Sequence, residues 1–239
     1  VAGGEHNVCI GQSAGDAITS ADYNIFIGQD TGTAATTGGG NVAVGYNAGS
    51  GINTGINSTL VGISAGAGVT SGGGIIAIGK DAGRTGSPGG NISTASDIVA
   101  IGDENIGACH IQTDWTVASD KRDKTDIESI KMGLDFVNKL EPITYRWDKR
   151  SKYNKDLNTT PTGEHKENWL DTGFLAQDVE VLEEEYGYKI EDNTNITTNL
   201  SEDGKQYGLT YAKFVPILTK AIQELSAEVK ELKTKLEAK

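Results

Sequence analysis

Proline is scarce: four in 239 residues, with only Pro88 ahead of residue 142. Cysteine is limited to Cys9 and Cys109, which gives no dense disulfide framework and no metal-ligand spacing; both are expected reduced. Hydrophobic residues make up 36% and aromatics 6%, below the usual globular range. No run of 18 apolar residues exists, so no membrane insertion is expected. Positive charge is almost missing from residues 1–118, where Lys80 and Arg84 face nine acidic groups. The remainder carries 19 basic and 24 acidic groups, for a net charge of −12. Neither half has the basic footprint of a nucleic-acid binder or of a protein held on an anionic membrane. His6, His110 and His165 are too scattered for a metal site, and no cofactor is expected. The start, Val1-Ala2-Gly3-Gly4, has no initiator Met and no signal-peptide character; it reads as the cut edge of a longer protein.

What is abundant is glycine, and 26 of the 32 glycines lie in residues 1–118. Gly11, Gly28, Gly45, Gly62 and Gly79 are 17 apart, and Gly15, Gly32, Gly49, Gly66 and Gly83 follow each by four. A short apolar run precedes each unit: Val8-Cys9-Ile10, Ile25-Phe26-Ile27, Val42-Ala43-Val44, Thr59-Leu60-Val61 and Ile76-Ala77-Ile78. A sixth, Val99-Ala100-Ile101, follows after 23 residues. Runs this short and rich in β-branched residues predict strands. A closing glycine suits a turn with φ > 0. Alternation makes both strand faces apolar, whereas an antiparallel sheet with one wet face has a polar one. The expected fold of 1–118 is therefore a mainly β, glycine-rich repeat head: a β-roll or β-helix with a thin core, its outer face packed on neighbouring chains in a trimer. Polar inserts such as Arg84–Gly90 read as turns or as a binding surface. Asp16, Asp22, Asp30, Asp81, Asp97 and Asp103 fall mostly in turns. Asp30 and Asp81 share one phase and predict a solvated ladder rather than the carboxylate pair of a glycosidase, so the head is not expected to be an enzyme. The strand-Gly-x-x-x-Gly pattern resembles the head repeats of trimeric bacterial adhesins and of phage tail fibres.

At Ser119-Asp120-Lys121-Arg122-Asp123-Lys124 the texture changes to that of an α+β domain. Ile127, Ile130, Leu134, Val137 and Leu140 predict a helix ended by Pro142. Residues 143–147 predict a strand and 148–170 an exposed polar excursion. Gly173–Glu180 predicts a strand or turn leading into a helix through Glu185, and 190–206 a hairpin or loop. The last segment, 211–239, carries Leu218, Ile222, Leu225, Val229, Leu232 and Leu236 in steps of 4, 3, 4, 3 and 4. This a/d seam predicts a long coiled-coil helix that self-associates; trimer is preferred over dimer because of the head.

Ser119-Asp120-x-Arg122-x-Lys124, Leu140-x-Pro142-x-Thr144-Tyr145, Gly173-Phe-x-Ala176-Gln177-x-Val179-Glu180 and Tyr211 leading to Ala221-Ile-Gln223-Glu224-Leu225 together resemble the intramolecular chaperone domain of phage tailspikes and tail fibres, the S74 peptidase family. The resemblance covers residues 119–239. It implies a homotrimer in which the chaperone sets the register of the preceding fibre segment and then cuts itself off. Ser119 would be the nucleophile, Lys124 the general base, and Ala118–Ser119 the scissile bond, with Asp120 and Arg122 supporting. The chain would then be a virion tail-fibre tip, residues 1–118, with a chaperone, 119–239, assembled in the host cytoplasm. Its partner would be a host cell-surface receptor, either polysaccharide or outer-membrane protein. The rival expectations are a fibre tip that keeps its chaperone, a polysaccharide-degrading tailspike, and a bacterial trimeric adhesin.

Overall fold

Residues 3–238 are described by a computed structural model. Val1 and Ala2 of the presumed cut edge, and Lys239 at the end of the expected coiled coil, lie outside the described residues. The six apolar runs form β1 (Val8–Ile10), β2 (Ile25–Ile27), β3 (Val42–Val44), β4 (Thr59–Val61), β5 (Ile76–Ile78) and β6 (Val99–Ile101). They lie side by side in chain order in one parallel sheet. The register follows the repeat: Val8 pairs with Ile25, Ile25 with Val42, and Ile76 with Val99. One coil therefore stacks on the next as a β-solenoid, and the 23-residue spacing is absorbed outside the strands.

The strand alternation divides the two apolar faces as expected. Middle residues Phe26, Ala43, Leu60, Ala77 and Ala100 are buried. They pack with a second stack at the same interval, Ile18, Ala35, Ile52, Val69 and Ile92. Volumes alternate within the strand column, so Phe26 and Leu60 are separated by Ala43. The flanking residues Val8, Ile10, Ile76, Ile78, Val99 and Ile101 face outward and are exposed.

Both glycine columns sit at positive φ, the first at +106° to +135° and the second at +56° to +72°. The first column is also a close approach between coils: a Cβ on Gly45 would lie 2.6 Å from the Gly62 carbonyl oxygen. Asp30 and Asp81 share their phase with Ser13, Asn47 and Ser64, all at φ near +55°. Short polar side chains tolerate this left-handed conformation, so backbone geometry accounts for these acids. A third left-handed column, His6, Tyr23, Gly40, Asn57, Gly74 and Asp97, has mixed side chains and gave no sequence signal. Asn24 and Asn41 are fully buried polar residues of the core, and their side-chain amides link successive coils.

In the second half, α1 is only Leu134–Lys139, which corrects the longer helix expected from Ile127. Gly133, at φ −140° and ψ −135°, lies outside the helical region and sets its start. The free N–H of Leu134 is met by the Glu224 carboxylate at 2.7 Å. Strand β7 (Ile143–Tyr145) is shorter than the expected 143–147 and pairs antiparallel with β8 (Asp171–Gly173). Then come α2 (Ala176–Glu185), the strands β9 (Thr198–Leu200) and β10 (Tyr207–Leu209), and α3 (Phe214–Glu237). Met132, Phe136, Val179, Phe214 and Ile217 form a second core.

Two segments of the second half cluster with the solenoid: Arg146–Trp169 and the hairpin tip Leu200–Gln206. Lys149 Nζ donates to the Glu104 carbonyl and Lys152 Nζ to the Asn105 side chain. Gly90, in the insert of the last coil, lies against Ser201. The polar excursion is mostly exposed, as expected, and two of its lysines tie it to the residues after β6.

Candidate functional site

Ser119 and Lys124 flank a single 3₁₀ turn, Lys121–Asp123. Asp120 caps that turn, its carboxylate accepting from the Arg122 N–H at 2.9 Å. Lys124 ends it in an extended conformation, φ −120° and ψ 135°. The turn folds the chain back, and Lys124 Nζ donates to Ser119 Oγ at 2.6 Å. The two sequence-predicted residues are thus in direct contact. Arg122 turns to Asp120 instead: Nη2 to Oδ2 is 2.6 Å, and Nε reaches both carboxylate oxygens at 3.1 and 3.2 Å. This fork-to-carboxylate pairing holds the Asp120 carboxyl below its usual range and raises Arg122. Every residue from Asn105 to Ser129 is exposed, so Ala118, Ser119 and Lys124 all stand open to solvent.

The seam residues Leu218, Ile222, Leu225, Val229, Leu232 and Leu236 are all exposed. A different stripe of α3, Phe214, Ile217 and Ala221, is buried. The helix therefore carries two apolar faces, one docked on its own core and one open along its length. Sequence reasoning missed Glu183, which is fully buried on α2. Its carboxylate accepts from Thr197 N–H, Thr197 Oγ1 and Thr198 Oγ1, each at 2.6 Å, and so anchors the start of β9. Its run of neighbouring glutamates gave no hint of burial. In the solenoid, Asp81 and Asp103 share Lys80 at 3.0 and 3.6 Å, an ion pair that ties the last two coils. Among the described residues no group of three or more His, Cys, Asp or Glu side chains is placed to hold a metal. No described helix is long and apolar enough to cross a membrane.

No curated protein and no solved structure matches the chain. A family match does exist, and its first residue is Ser119: residues 119–188 match Peptidase_S74, the chaperone of endosialidase. The contact between Ser119 and Lys124 therefore opens the matched region, and residues 119–188 are similar to the S74 chaperone family.

Proposed function

We propose that the chain is the tip of a phage tail fibre whose C-terminal domain trimerises the fibre, sets its register, and then severs the Ala118–Ser119 bond. The observation that carries the cleavage step is the 2.6 Å hydrogen bond from Lys124 Nζ to Ser119 Oγ, placed at the start of the matched domain. The serine hydroxyl is a weak nucleophile until a base accepts its proton. Neutral Lys124 takes that proton while Oγ attacks the carbonyl carbon of Ala118. The Ala118–Ser119 C–N bond breaks, the released amine takes a proton, and an ester joins Ala118 to Ser119 Oγ. Water then hydrolyses the ester, leaving fragments 1–118 and 119–239 after one turnover.

A lysine serves as base only where desolvation or a nearby cation favours its neutral form. Both groups are exposed in the single chain, so the reading makes trimerisation the step that encloses them. The open seam of α3 and the outward apolar row of the solenoid are the surfaces through which three copies would meet. The tip would then attach the virion to a surface polysaccharide or an outer-membrane protein of the host cell.

Intact-mass measurement of the purified wild type beside Ser119→Ala tests the cleavage. Two species split at residue 118 are expected for the wild type and a single full-length species for Ser119→Ala. A wild type that stays whole after trimerising would leave a fibre tip that retains its chaperone.

A further inference from the structure

Successive coils of the solenoid aim neighbouring donors at one carbonyl of the coil that follows. The Thr36 carbonyl receives Thr19 N–H at 3.0 Å, Thr19 Oγ1 at 2.9 Å and Ser20 N–H at 3.1 Å. The Thr70 carbonyl receives Asn53, Thr54 and Gly55 N–H groups at 2.9, 3.2 and 3.2 Å. The Ser93 carbonyl receives Thr70 N–H at 2.8 Å and Thr70 Oγ1 at 3.2 Å. The last coil has no successor in the repeat, yet its donors are satisfied. Ser93 N–H reaches Glu202 Oε2 at 2.9 Å, and Glu202 Oε1 receives Thr94 N–H at 2.9 Å, Thr94 Oγ1 at 2.5 Å and Ala95 N–H at 3.3 Å.

We propose that the hairpin tip Leu200–Gln206 is a templating end-rung for the solenoid, with the Glu202 carboxylate in the place of the main-chain carbonyl that a further coil would supply. The tip also identifies which coil it caps. Ser201 packs on Gly90, and Asp203 Oδ2 lies 3.5 Å from the Asn91 N–H. Gly90 and Asn91 lie in the longer connection between β5 and β6, where the 17-residue spacing becomes 23. Glu202 is therefore a positioning residue that distinguishes the last coil from the regular coils before it.

The charged groups around the carboxylate do not compete for it. Asp203 is held by Ser201 Oγ and the Lys205 N–H. Arg150 donates to the Lys205 carbonyl. Lys149 and Lys152 are bound to Glu104 and Asn105. Desolvation works to raise the Glu202 carboxyl, but the donors from Ser93, Thr94 and Ala95 outweigh it and bring it down to about 2.

The purpose assigned to the tip rests on reading 119–239 as a folding chaperone. The test is therefore run in the Ser119→Ala chain, where cleavage plays no part. Hydrogen exchange at neutral pH is followed at Ser93, Thr94 and Ala95, with Thr36 and Asn53 as internal references. Glu202→Ala is expected to speed exchange at the three amides about tenfold or more, the loss expected for charge-assisted hydrogen bonds, and to lower the yield of assembled protein on refolding. Glu202→Gln keeps one carbonyl oxygen but turns an amide N–H₂ toward Ser93, and is expected to fall between. Where Glu202→Ala does not fold, the Gln variant carries the test through its pH profile. Its deficit in thermal stability against the parent is expected to shrink as pH falls from about 4.5 toward about 2. Unchanged exchange and refolding in the Ala variant, or a pH-independent deficit in the Gln variant, would overturn the assignment.

Discussion

The buried asparagine at position 41 offers a sharp test of how the coils are held together. Asn41 Oδ1 accepts from the Ser58 N–H at 3.0 Å, and its Nδ2 donates to Asn24 Oδ1 at 3.1 Å and to the Gly55 carbonyl at 2.8 Å. Leucine at this site has similar volume and no polar atoms. Asn41→Leu would remove the side-chain partner of the Ser58 N–H on one side and of the Gly55 carbonyl on the other, both in buried surroundings. Each such group costs about 1–3 kcal/mol, so the expected loss is about 2–6 kcal/mol. That is a large share of the roughly 5–15 kcal/mol that holds a domain folded. At about 2–4 °C per kcal/mol for a chain of this size, the thermal midpoint is expected to fall by about 5–20 °C. The chain itself suggests the milder substitution. Ser58 occupies the equivalent position one coil later, and its Oγ accepts from the Ile75 N–H at 3.3 Å. Asn41→Ser is therefore expected to keep one of the two links and lose about half as much. Melting followed by circular dichroism on the full chain gives the ranking wild type, Ser, Leu. A leucine variant as stable as the wild type, or more stable than the serine variant, would refute the reasoning.

Gly45→Ala places a Cβ 2.6 Å from the Gly62 carbonyl at φ +133° and is expected to lose more than about 2 kcal/mol in urea titration. Gly204→Ala has open space around it, although φ is +68°, and should lose only about 1 kcal/mol. If the proposed trimer forms through α3, charged residues at Ile222 and Val229, both exposed on α3, are expected to convert it to smaller species by light scattering and to slow the proposed cleavage with it. The Glu202 carboxyl is lowered to about 2 from an ordinary 4.5, so its contribution is complete above about pH 4.5 and lost as pH falls toward 2. Because the side chain is open to solvent, about 1–2 kcal/mol is expected after screening, read as the difference between parent and Glu202→Gln melts.

The solenoid was legible because a fixed interval writes the same physical demand many times over. Middle residues such as Phe26 and Leu60 had to face inward, and glycine at 45 or 62 had to supply positive φ. Ser119 and Lys124 were paired by the resemblance of their motif, and the short turn at Lys121–Asp123 brings the two side chains into contact. What was not legible depended on partners far along the chain. Ile127 and Ile130 fall at helical spacing, but nothing local reveals that Gly133 and the distant Glu224 fix the start of α1. Nothing in the sequence singled out Lys149 or Lys152, whose acceptors at Glu104 and Asn105 lie far along the chain. Glu202 sits in Ser-Glu-Asp-Gly, a plain turn sequence; only the three-dimensional ladder shows that its carboxylate completes a column of carbonyls.

The outward face of the solenoid explains why such an end-rung is needed at all. Its flanking residues are Val and Ile at β1, Ile and Ile at β2, Val and Val at β3, Thr and Val at β4, Ile and Ile at β5, Val and Ile at β6. Copies meeting through this row one coil out of step would exchange one apolar pair for a nearly identical one. At about 25 cal/mol per Å², such small differences in area discriminate poorly between registers. The repeat that makes the fold easy to stack thus makes its alignment ambiguous, and discrimination has to come from a place where the coils differ. The connection between β5 and β6 is such a place, with six residues beyond the regular interval, and Ser201 and Asp203 reach into it beside Glu202. In the proposed trimer a seam on α3 would set the number of chains yet could slide by heptads, whereas a tip that recognises one coil would fix the starting register. Deleting six residues from 84–90 should therefore leave the strands able to pair at a uniform interval while removing the mark the tip reads. The expected result is misaligned assemblies, detected as heterogeneous species on native mass spectrometry, even though each chain's own core is intact. A single well-defined assembly from that deletion would show that register is set without the last coil.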